Sequence, residues 1–295
     1  METVRPCGCK GIRSCLVCEK EYNIQKPDPK TQFQDYPSYV YCPYCDLSWP
    51  GWNIDLYKSH PDHEGEAINF SGVYIQPDFL TEQEAATLIK ELDNLAWEAS
   101  QSGRRKQNFG PKCNFKKKKL RLGSFHGFPS STQFIQDRFK GVKLLKDFQT
   151  VEQCTLEYNP DRGASIDPHI DDCWIWGERI VTVNVVGDSV LMMLPYKGPN
   201  SRYNLESIKE YNEKWMCEDI ENQVQQVVVR LPMPERSLMV IFGEARYKWE
   251  HAVFREDVSS RRVCLAYREL TPPYLINSID NKEVSEILQQ AGNFF

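Results

Sequence analysis

The chain has 295 residues, of which 41% are hydrophobic and 26% charged, and its net charge is −5. This composition is typical of a globular protein with one large domain or one large and one small domain, and it excludes wholesale disorder. The acidic balance gives no global argument for nucleic-acid binding. No apolar run approaches the roughly 18 residues of a membrane span, and the opening segment lacks the apolar core of a signal peptide.

Residues 1–65 form a cysteine-rich segment with polar and proline-rich spacers. Without a secretory signal we expect reduced thiols and a cytoplasmic and nuclear location, so clustered cysteines indicate a metal or redox role before disulfides. One group has the spacing C-x-C-x5-C-x2-C, which predicts a four-thiolate zinc site. The alternative is free thiols in a mobile tail. The members of this group are Cys7, Cys9, Cys15 and Cys18.

A second C-x-x-C pair lies later in the same segment, at Cys42 and Cys45. His60 and His63 follow it and add further ligand options. The choice of zinc ligands among these residues is open from the sequence.

From about residue 66 the sequence pattern is typical of a folded domain. The sequence INFSGVYIQPDFLTEQEAATLIKELDNL predicts a strand, a turn and a helix. Thr81 and Glu84 match the capping-box pattern just before apolar residues at helical spacing. A second helix is predicted near 132–148.

Seven short apolar runs then predict strands: VEQCTLEY, RIVTVNVV, SVLMMLP, QVVVRLP, SLMVIFG, HAVFRE and RRVCLAYREL. Gly, Pro and Asp turns separate them, which favours an antiparallel sandwich or barrel with flanking helices. We expect an inserted loop with a short helix over 197–223. The sequence therefore predicts three parts: the segment 1–65, a domain over 66–272 and a helical tail over 273–295.

The stretch from Arg104 to Arg121 carries nine Lys or Arg residues and no acid. Such a run is commonly a solvated face, but it could also contact phosphates or an acidic protein surface. Its KKKK motif is a weak nuclear-localisation candidate. Arg104, Arg105 and Lys106 are candidate substrate contacts.

The stretch IDPHIDDCWIWGERI carries the strongest chemical signal. Side chains two apart in a strand share a face, so His169 and Asp171 are predicted to point the same way. His251 lies in another predicted strand and can complete a site of two histidines and one carboxylate. This is the facial triad of non-haem Fe(II) oxygenases, whose open positions admit oxygen and a co-substrate. Asp172 is a further candidate for substrate contact, with a solvated turn acid as its alternative.

Arginines on the predicted strand RRVCLAYREL indicate a carboxylate site beside the metal. Residues Arg262 and Arg268 alternate onto one face, and an arginine can hold a carboxylate through two hydrogen bonds. A carboxylate clamp beside iron suggests 2-oxoglutarate as the electron source. Tyr158 could add a hydroxyl hydrogen bond. A zinc hydrolase would keep the ligands but leave both arginines without a role, and a catalytically silent interaction protein is a further alternative.

The motifs LEYNPDRGASIDPHIDD, GERIVTVNVV, RSLMVIFGEARYKWEHAVFR and RRVCLAYREL resemble the AlkB family of Fe(II)/2-oxoglutarate dioxygenases. The resemblance covers about 70–270 and implies a double-stranded β-helix, or jelly roll. It implies that His169, Asp171 and His251 bind iron, with no catalytic residue beyond the metal centre. It assigns Arg262 and Tyr158 to 2-oxoglutarate, and Arg268 to the co-substrate or substrate. Oxygen is the third reactant.

Two positions depart from the family pattern. Many relatives carry Asn where this chain has Cys264 and Leu156, which affects the hydrogen bonds to the co-substrate rather than its presence. The cysteine segment and SQSGRRKQNFGPK resemble one subgroup of the family. That resemblance implies oxidative N-demethylation of monomethyl-lysine in protein, of the actin type and linked to actomyosin processes, or of N6-methyladenine in DNA, with release of formaldehyde, succinate and CO2.

Overall fold

Two seven-stranded sheets form the body of the protein. The computed structural model describes residue 5 and residues 7–210, 226–276 and 281–295. Strands are numbered along the chain. The first sheet has the spatial order β10 (Ile166–His169), β15 (Trp249–Val253), β12 (Ser189–Pro195), β13 (Val228–Met233), β1 (Ser38–Cys42), β2 (Leu47–Pro50) and β3 (Ile68–Asn69).

The second sheet is antiparallel throughout. Its order is β4 (Val73–Gln76), β14 (Ser237–Ile241), β11 (Trp176–Val186), β16 (Arg262–Leu270), β9 (Glu152–Tyr158), β6 (Arg105–Phe109) and β5 (Glu98–Ala99). All seven predicted strand runs form strands. Four strands of each sheet, β10–β15–β12–β13 and β14–β11–β16–β9, make the eight-stranded double-stranded β-helix, which confirms the predicted fold class.

The cysteine-rich segment contributes to the first sheet. Strand β1 pairs with β13 in parallel, with Ser38 opposite Val228, whereas the other pairings in the sheet are antiparallel. Phe33 of the same segment packs on the outer face of this sheet, and its ring stacks on Phe254. Residues 1–65 and the barrel therefore share a sheet and a packed face.

Apolar side chains fill three layers because alternate residues of each strand point to opposite faces. Met193 of β12 and Met239 of β14 lie in the layer between the sheets. Val181 of β11 and Leu265 of β16 point the other way, onto helices α2 (Glu82–Asp93) and α3 (Gln133–Phe139). The inner layer between the sheets surrounds the face of β16 that carries both predicted arginines.

The predicted capping box at the start of α2 is present. The Thr81 hydroxyl accepts a bond from the Glu84 N–H at 3.2 Å, and the Glu84 carboxylate accepts one from the Thr81 N–H at 2.8 Å. The predicted helix over 132–148 is shorter than expected: α3 ends at Phe139, and a 3-10 turn follows at Lys143–Leu145. Gly141 lies between them, and glycine is a poor helix former.

The remaining elements lie around the barrel. They are the helices α1 (Leu16–Glu21), α4 (Gly243–Tyr247), α5 (Pro272–Ile276) and α6 (Lys282–Gln290) and the hairpin strands β7 (Lys112–Asn114) and β8 (Lys119–Arg121). The predicted insertion over 197–223 begins with 3-10 turns at Asn200–Arg202 and Leu205–Glu210, and its residues 211–223 lie outside the described residues. Across the described ranges, every helix is too short or too polar to cross a membrane.

Candidate active site

Three predicted ligands meet at one end of the barrel. His169 ends β10 and lies directly opposite His251 of β15, with ring centroids 4.2 Å apart. The Asp171 Oδ2 atom is 3.9 Å from the His251 Nε2 atom. One ligand atom from each of the three residues lies within 4.8 Å of the others, a spacing that suits a single metal ion bound on one face.

Asp171 reaches this site by a different route from the predicted one. Strand β10 ends at His169, so Asp171 lies in the irregular segment that follows rather than in the strand. Its carboxylate still lies within 4.8 Å of the ligand atoms of both histidines. The structure brings His169 and Asp171 together as expected, but it corrects the prediction that both residues belong to the same strand.

Both histidines are held in the form that binds metals. The His169 Nδ1 atom donates to the Asp167 carbonyl at 2.9 Å, which leaves Nε2 for a metal. Burial lowers the pKa of His169. Burial first, and then the neighbouring His169 ring, which opposes a second positive charge, hold the pKa of His251 well below its usual range. Burial would raise the pKa of Asp171, but Arg268 and the two histidines outweigh it and keep the carboxyl ionised.

Arg268 bridges two carboxylates. Its Nη2 atom donates to Asp171 Oδ1 at 3.1 Å, and its Nη1 atom donates to Glu152 Oε2 at 2.7 Å. Glu152 was missed by the sequence analysis. It shares the inner face of β9 with Tyr158, which the alternation of VEQCTLEY could have revealed. Arg268 therefore holds a predicted metal ligand in place.

Arg262 is a buried cation whose only described partners are neutral. It is 1% exposed, and its Nε atom donates to the Asn184 side-chain oxygen at 2.8 Å. Its guanidinium lies 4.7 Å from the ring centroid of Tyr158, which is opposite it in register. No carboxylate of the described residues lies within ion-pair distance of Arg262, and its Nη1 atom has no hydrogen-bond partner there. An unpaired buried charge is costly, so this geometry suits an anionic ligand.

Asn184 is a second site residue that the sequence analysis missed. Its amide nitrogen donates to the carbonyls of Gly187 at 2.8 Å and Met233 at 3.0 Å, which fixes the oxygen toward Arg262. An asparagine in the apolar run RIVTVNVV was the available signal, since buried amides need partners.

The two departures from the family pattern face each other. Cys264 and Leu156 are direct partners across β16 and β9, and both belong to the apolar layer between the sheets. The two positions are thus neighbours in the fold. An apolar contact between Cys264 and Leu156 replaces the contact that two asparagine amides would make at these positions.

The three predicted basic contacts point in different directions. The Arg104 guanidinium lies 5.9 Å from the Tyr158 ring centroid, and its Nε atom donates to the Gln101 carbonyl at 3.3 Å. Lys106 is opposite Leu156, on the inner side of the sheet. Arg105 instead makes a bidentate ion pair with Glu157 on the outer face. This ion pair engages the Arg105 guanidinium within the sheet, and the substrate role of the three residues stays a prediction.

Asp172 is also a structural residue in this structure. Its carboxylate accepts a bond from the Asn204 side-chain nitrogen at 2.8 Å and one from the Trp174 N–H at 3.4 Å. Burial raises the pKa of Asp172. These bonds order the segment after Asp171, and the substrate contact of Asp172 stays a prediction.

The hairpin β7–β8 holds the second half of the basic stretch. Phe115 at its tip makes an edge contact with Trp174, with ring centroids 6.3 Å apart. Arg121 pairs with Glu283 of α6, which anchors the hairpin to the tail. Lys116 to Lys119 are exposed.

The four predicted zinc cysteines converge. Their sulfur atoms all lie within 4.8 Å of one another, and Cys7 and Cys18 are 2.9 Å apart, longer than a disulfide bond. Burial opposes ionisation of Cys15, but hydrogen bonds from the Cys18 N–H and from Arg162 lower its pKa to about 7. This arrangement fits a four-thiolate metal site.

The cysteine cluster is tied to the strand that carries His169. Glu19 accepts two bonds from Arg255 at 2.7 and 3.0 Å, and Lys26 lies 2.8 Å from Asp167. Asp167 is the residue whose carbonyl orients the His169 ring.

Comparison with known proteins places this site in a family. The chain is 38% identical to the mouse alpha-ketoglutarate-dependent dioxygenase alkB homolog 4 over 99% of its length and 95% of that protein, and 37% identical to the human protein over the same shares. It is 30% identical to a DNA N6-methyl adenine demethylase of Caenorhabditis elegans, over 89% of this chain and 86% of that one.

Solved structures and family models were compared as well. The structure of OsALKBH1 aligns with a TM-score of 0.44 at 8% identity, over 68% of this chain and 100% of that chain. No protein-family model matches the sequence.

The fold and the site together define an Fe(II)/2-oxoglutarate-dependent dioxygenase, and the chain belongs to the AlkB family of these enzymes. Within that family it is similar to alkB homolog 4 over nearly its full length. The family uses Fe(II), 2-oxoglutarate and O2.

Proposed function

We propose that this enzyme removes N-methyl groups, with iron held by His169, Asp171 and His251 and the distal carboxylate of 2-oxoglutarate held by Arg262. The uncompensated buried charge of Arg262 carries the proposal, because a dicarboxylate supplies the anion that the described residues do not. A zinc hydrolase would leave this arginine without a partner, and a silent scaffold would not need the clustered ligands.

Bound Fe(II) supplies the activation of O2, at the expense of 2-oxoglutarate, that hydroxylates a methyl carbon. The protein's own residues prepare that chemistry. Arg268 and Glu152 fix the position of Asp171, and the Asp167 carbonyl fixes the His169 ring. Tyr158 packs beneath the Arg262 guanidinium, and Asn184 orients it. The hydroxymethyl amine then releases formaldehyde and the free amine, while 2-oxoglutarate leaves as succinate and CO2.

The substrate that we favour is monomethyl-lysine in protein, of the actin type. The resemblance to the alkB homolog 4 subgroup supports it, and so does the net charge of −5, which opposes general binding to polyanions. An aromatic group of Phe115, Trp174 and Tyr274 lies next to the turn that carries Asp172. Aromatic faces attract alkylammonium groups. A cytoplasmic and nuclear location would suit this substrate.

A second candidate substrate is N6-methyladenine in DNA. The similarity to a protein named as a DNA N6-methyl adenine demethylase supports it. The exposed cations Lys116 to Lys119 also suit phosphates. Arg105 and Arg121 contribute less to the attraction of phosphates, because each pairs with a carboxylate of the chain.

Formaldehyde and succinate release on matched substrates tests both proposals. We expect turnover on a monomethyl-lysine actin peptide and its loss in Asp171→Ala. Reversing the charge of Lys116 to Lys119 should leave peptide turnover unchanged. Turnover on methylated DNA alone, lost on that charge reversal, would replace the lysine proposal with the DNA one. Turnover that survives in both His169→Ala and Asp171→Ala would refute the iron site.

We also propose that the four-cysteine cluster binds structural zinc. The convergence of the sulfur atoms and their links to β10 support it, since a closed thiolate site stabilises a short segment without a large core. Zinc content should fall by one equivalent in Cys15→Ser, and an unchanged content would contradict the assignment.

A further inference from the structure

A second cluster of metal-binding side chains lies apart from the active site and from the four-cysteine cluster. It consists of Cys42, Cys45, His60 and His63, and one ligand atom from each lies within 4.8 Å of the other three. Cys42 ends β1 and Cys45 lies in the turn to β2, while both histidines follow the 3-10 helix Ile54–Ser59. The four residues come from one short segment and converge on one point.

The donor set and its spacing suit zinc. A tetrahedral ion with bonds of about 2.3 Å to sulfur and 2.0–2.1 Å to nitrogen places neighbouring ligand atoms roughly 3.3–3.8 Å apart. The observed limit of 4.8 Å is within a small side-chain adjustment of that range. The C-x2-C spacing of the cysteines is typical of zinc sites, and the two histidines, at H-x2-H, are one residue closer together than the usual histidine pair.

His63 presents a free nitrogen to this cluster. Its Nε2 atom is buried and has no hydrogen-bond partner among the described residues. The ring stacks on Trp49, with centroids 4.7 Å apart, which fixes its plane. A buried ring nitrogen without a hydrogen-bond partner is an atom that a metal ion can satisfy.

Polar groups surround both sulfur atoms, and burial raises the pKa of the Cys42 thiol, which donates to the Tyr57 carbonyl at 3.7 Å. The backbone N–H groups of Tyr44 and Cys45 point at the Cys42 sulfur. The Trp49 indole N–H donates to the Cys45 sulfur at 3.5 Å. Outer contacts of this kind stabilise the ligands of metal sites. The backbone that makes them includes Asp46 at φ 57°, which closes the turn after Cys45.

We propose that Cys42, Cys45, His60 and His63 bind a structural zinc ion, independent of the iron centre and of the four-cysteine cluster. Four protein ligands leave no open position, so the ion has no catalytic role. It joins the β1–β2 hairpin to the 3-10 helix Ile54–Ser59, both of which lie beside β13. The ion thus stabilises the part of the first sheet that is built from the cysteine-rich segment.

Zinc content of the purified full chain, measured by mass spectrometry, tests the site. We expect His63→Ala to lose one equivalent and His63→Cys, which restores a ligand, to retain it. His126→Ala is the matched control, because His126 is exposed and lies outside all three ligand clusters. Cys15→Ser should remove a different equivalent, so that the double variant with His63→Ala loses two. If His63→Ala keeps the zinc content of the wild type, the proposal is overturned.

A spectroscopic measurement covers the case in which His63→Ala does not fold. X-ray absorption at the zinc edge on His251→Ala, whose iron triad is disrupted, should show both sulfur and imidazole around zinc. A shell of sulfur alone would mean that only the four-cysteine cluster is occupied, which overturns the proposal.

Discussion

Arg268 and Asp171 are joined by a hydrogen bond of 3.1 Å between Nη2 and Oδ1, and the other guanidinium nitrogen of Arg268 is held by Glu152. The arginine therefore acts on the metal through a ligand. Arg268→Lys keeps the charge, but a single ammonium cannot bridge two carboxylates as a planar guanidinium does. We expect iron affinity to fall about 10–100-fold, the usual effect of losing an outer contact. Fe(II) titration measures it, with Arg138→Lys, whose ion pair with Glu84 joins α3 to α2, as a control. Unchanged affinity in Arg268→Lys would contradict this role.

Arg262→Met should separate co-substrate binding from stability. Loss of a charged hydrogen-bonding partner is expected to raise the KM for 2-oxoglutarate about 10–100-fold. The Tm of the apo protein should not fall, because the substitution also removes an unpaired buried charge. Stabilisation by added 2-oxoglutarate should disappear. A Tm that drops while KM stays constant would show that Arg262 is structural only.

The facing pair Cys264 and Leu156 predicts a non-additive double substitution. Cys264→Asn alone buries an amide opposite leucine, which we expect to cost about 1–3 kcal/mol of unfolding free energy. Adding Leu156→Asn supplies a partner for that amide. The double variant should therefore lose less unfolding free energy than the sum of the losses in the two single variants. Urea unfolding of all four proteins measures the coupling, and simple additivity would refute it.

The buried histidines predict how apo stability depends on pH. An unfolded histidine has a pKa of about 6.5, whereas burial lowers the pKa of both His169 and His251 in the folded chain. Below about pH 6.5 the unfolded chain therefore binds more protons, and stability falls as pH falls. The slope should be smaller in His251→Gln than in the wild type, by up to about 1.4 kcal/mol per pH unit. His126→Gln, at an exposed position, should match the wild type; equal slopes in all three proteins would contradict the prediction.

The strands and the ligand set could be predicted from the sequence because both depend on local patterns. Seven apolar runs mark β9 and β11 to β16, and H-x-D before a strand marks the triad. Partners from distant strands could not be predicted this way. Glu152 becomes part of the site only through its register opposite Arg268, and Glu157 neutralises Arg105 in the same manner. Cross-strand register is a tertiary property, so a charge that looks free in the sequence can be engaged in the fold.

The parallel pairing of β1 with β13 has a consequence for the order of events during synthesis. Ser38 leaves the ribosome roughly 190 residues before its partner Val228, and such distant contacts form late. Until then the two metal-ligand clusters of the N-terminal segment have no sheet to pack against. Zinc binding by the nascent chain would therefore keep this segment folded until the second half of the barrel has been synthesised.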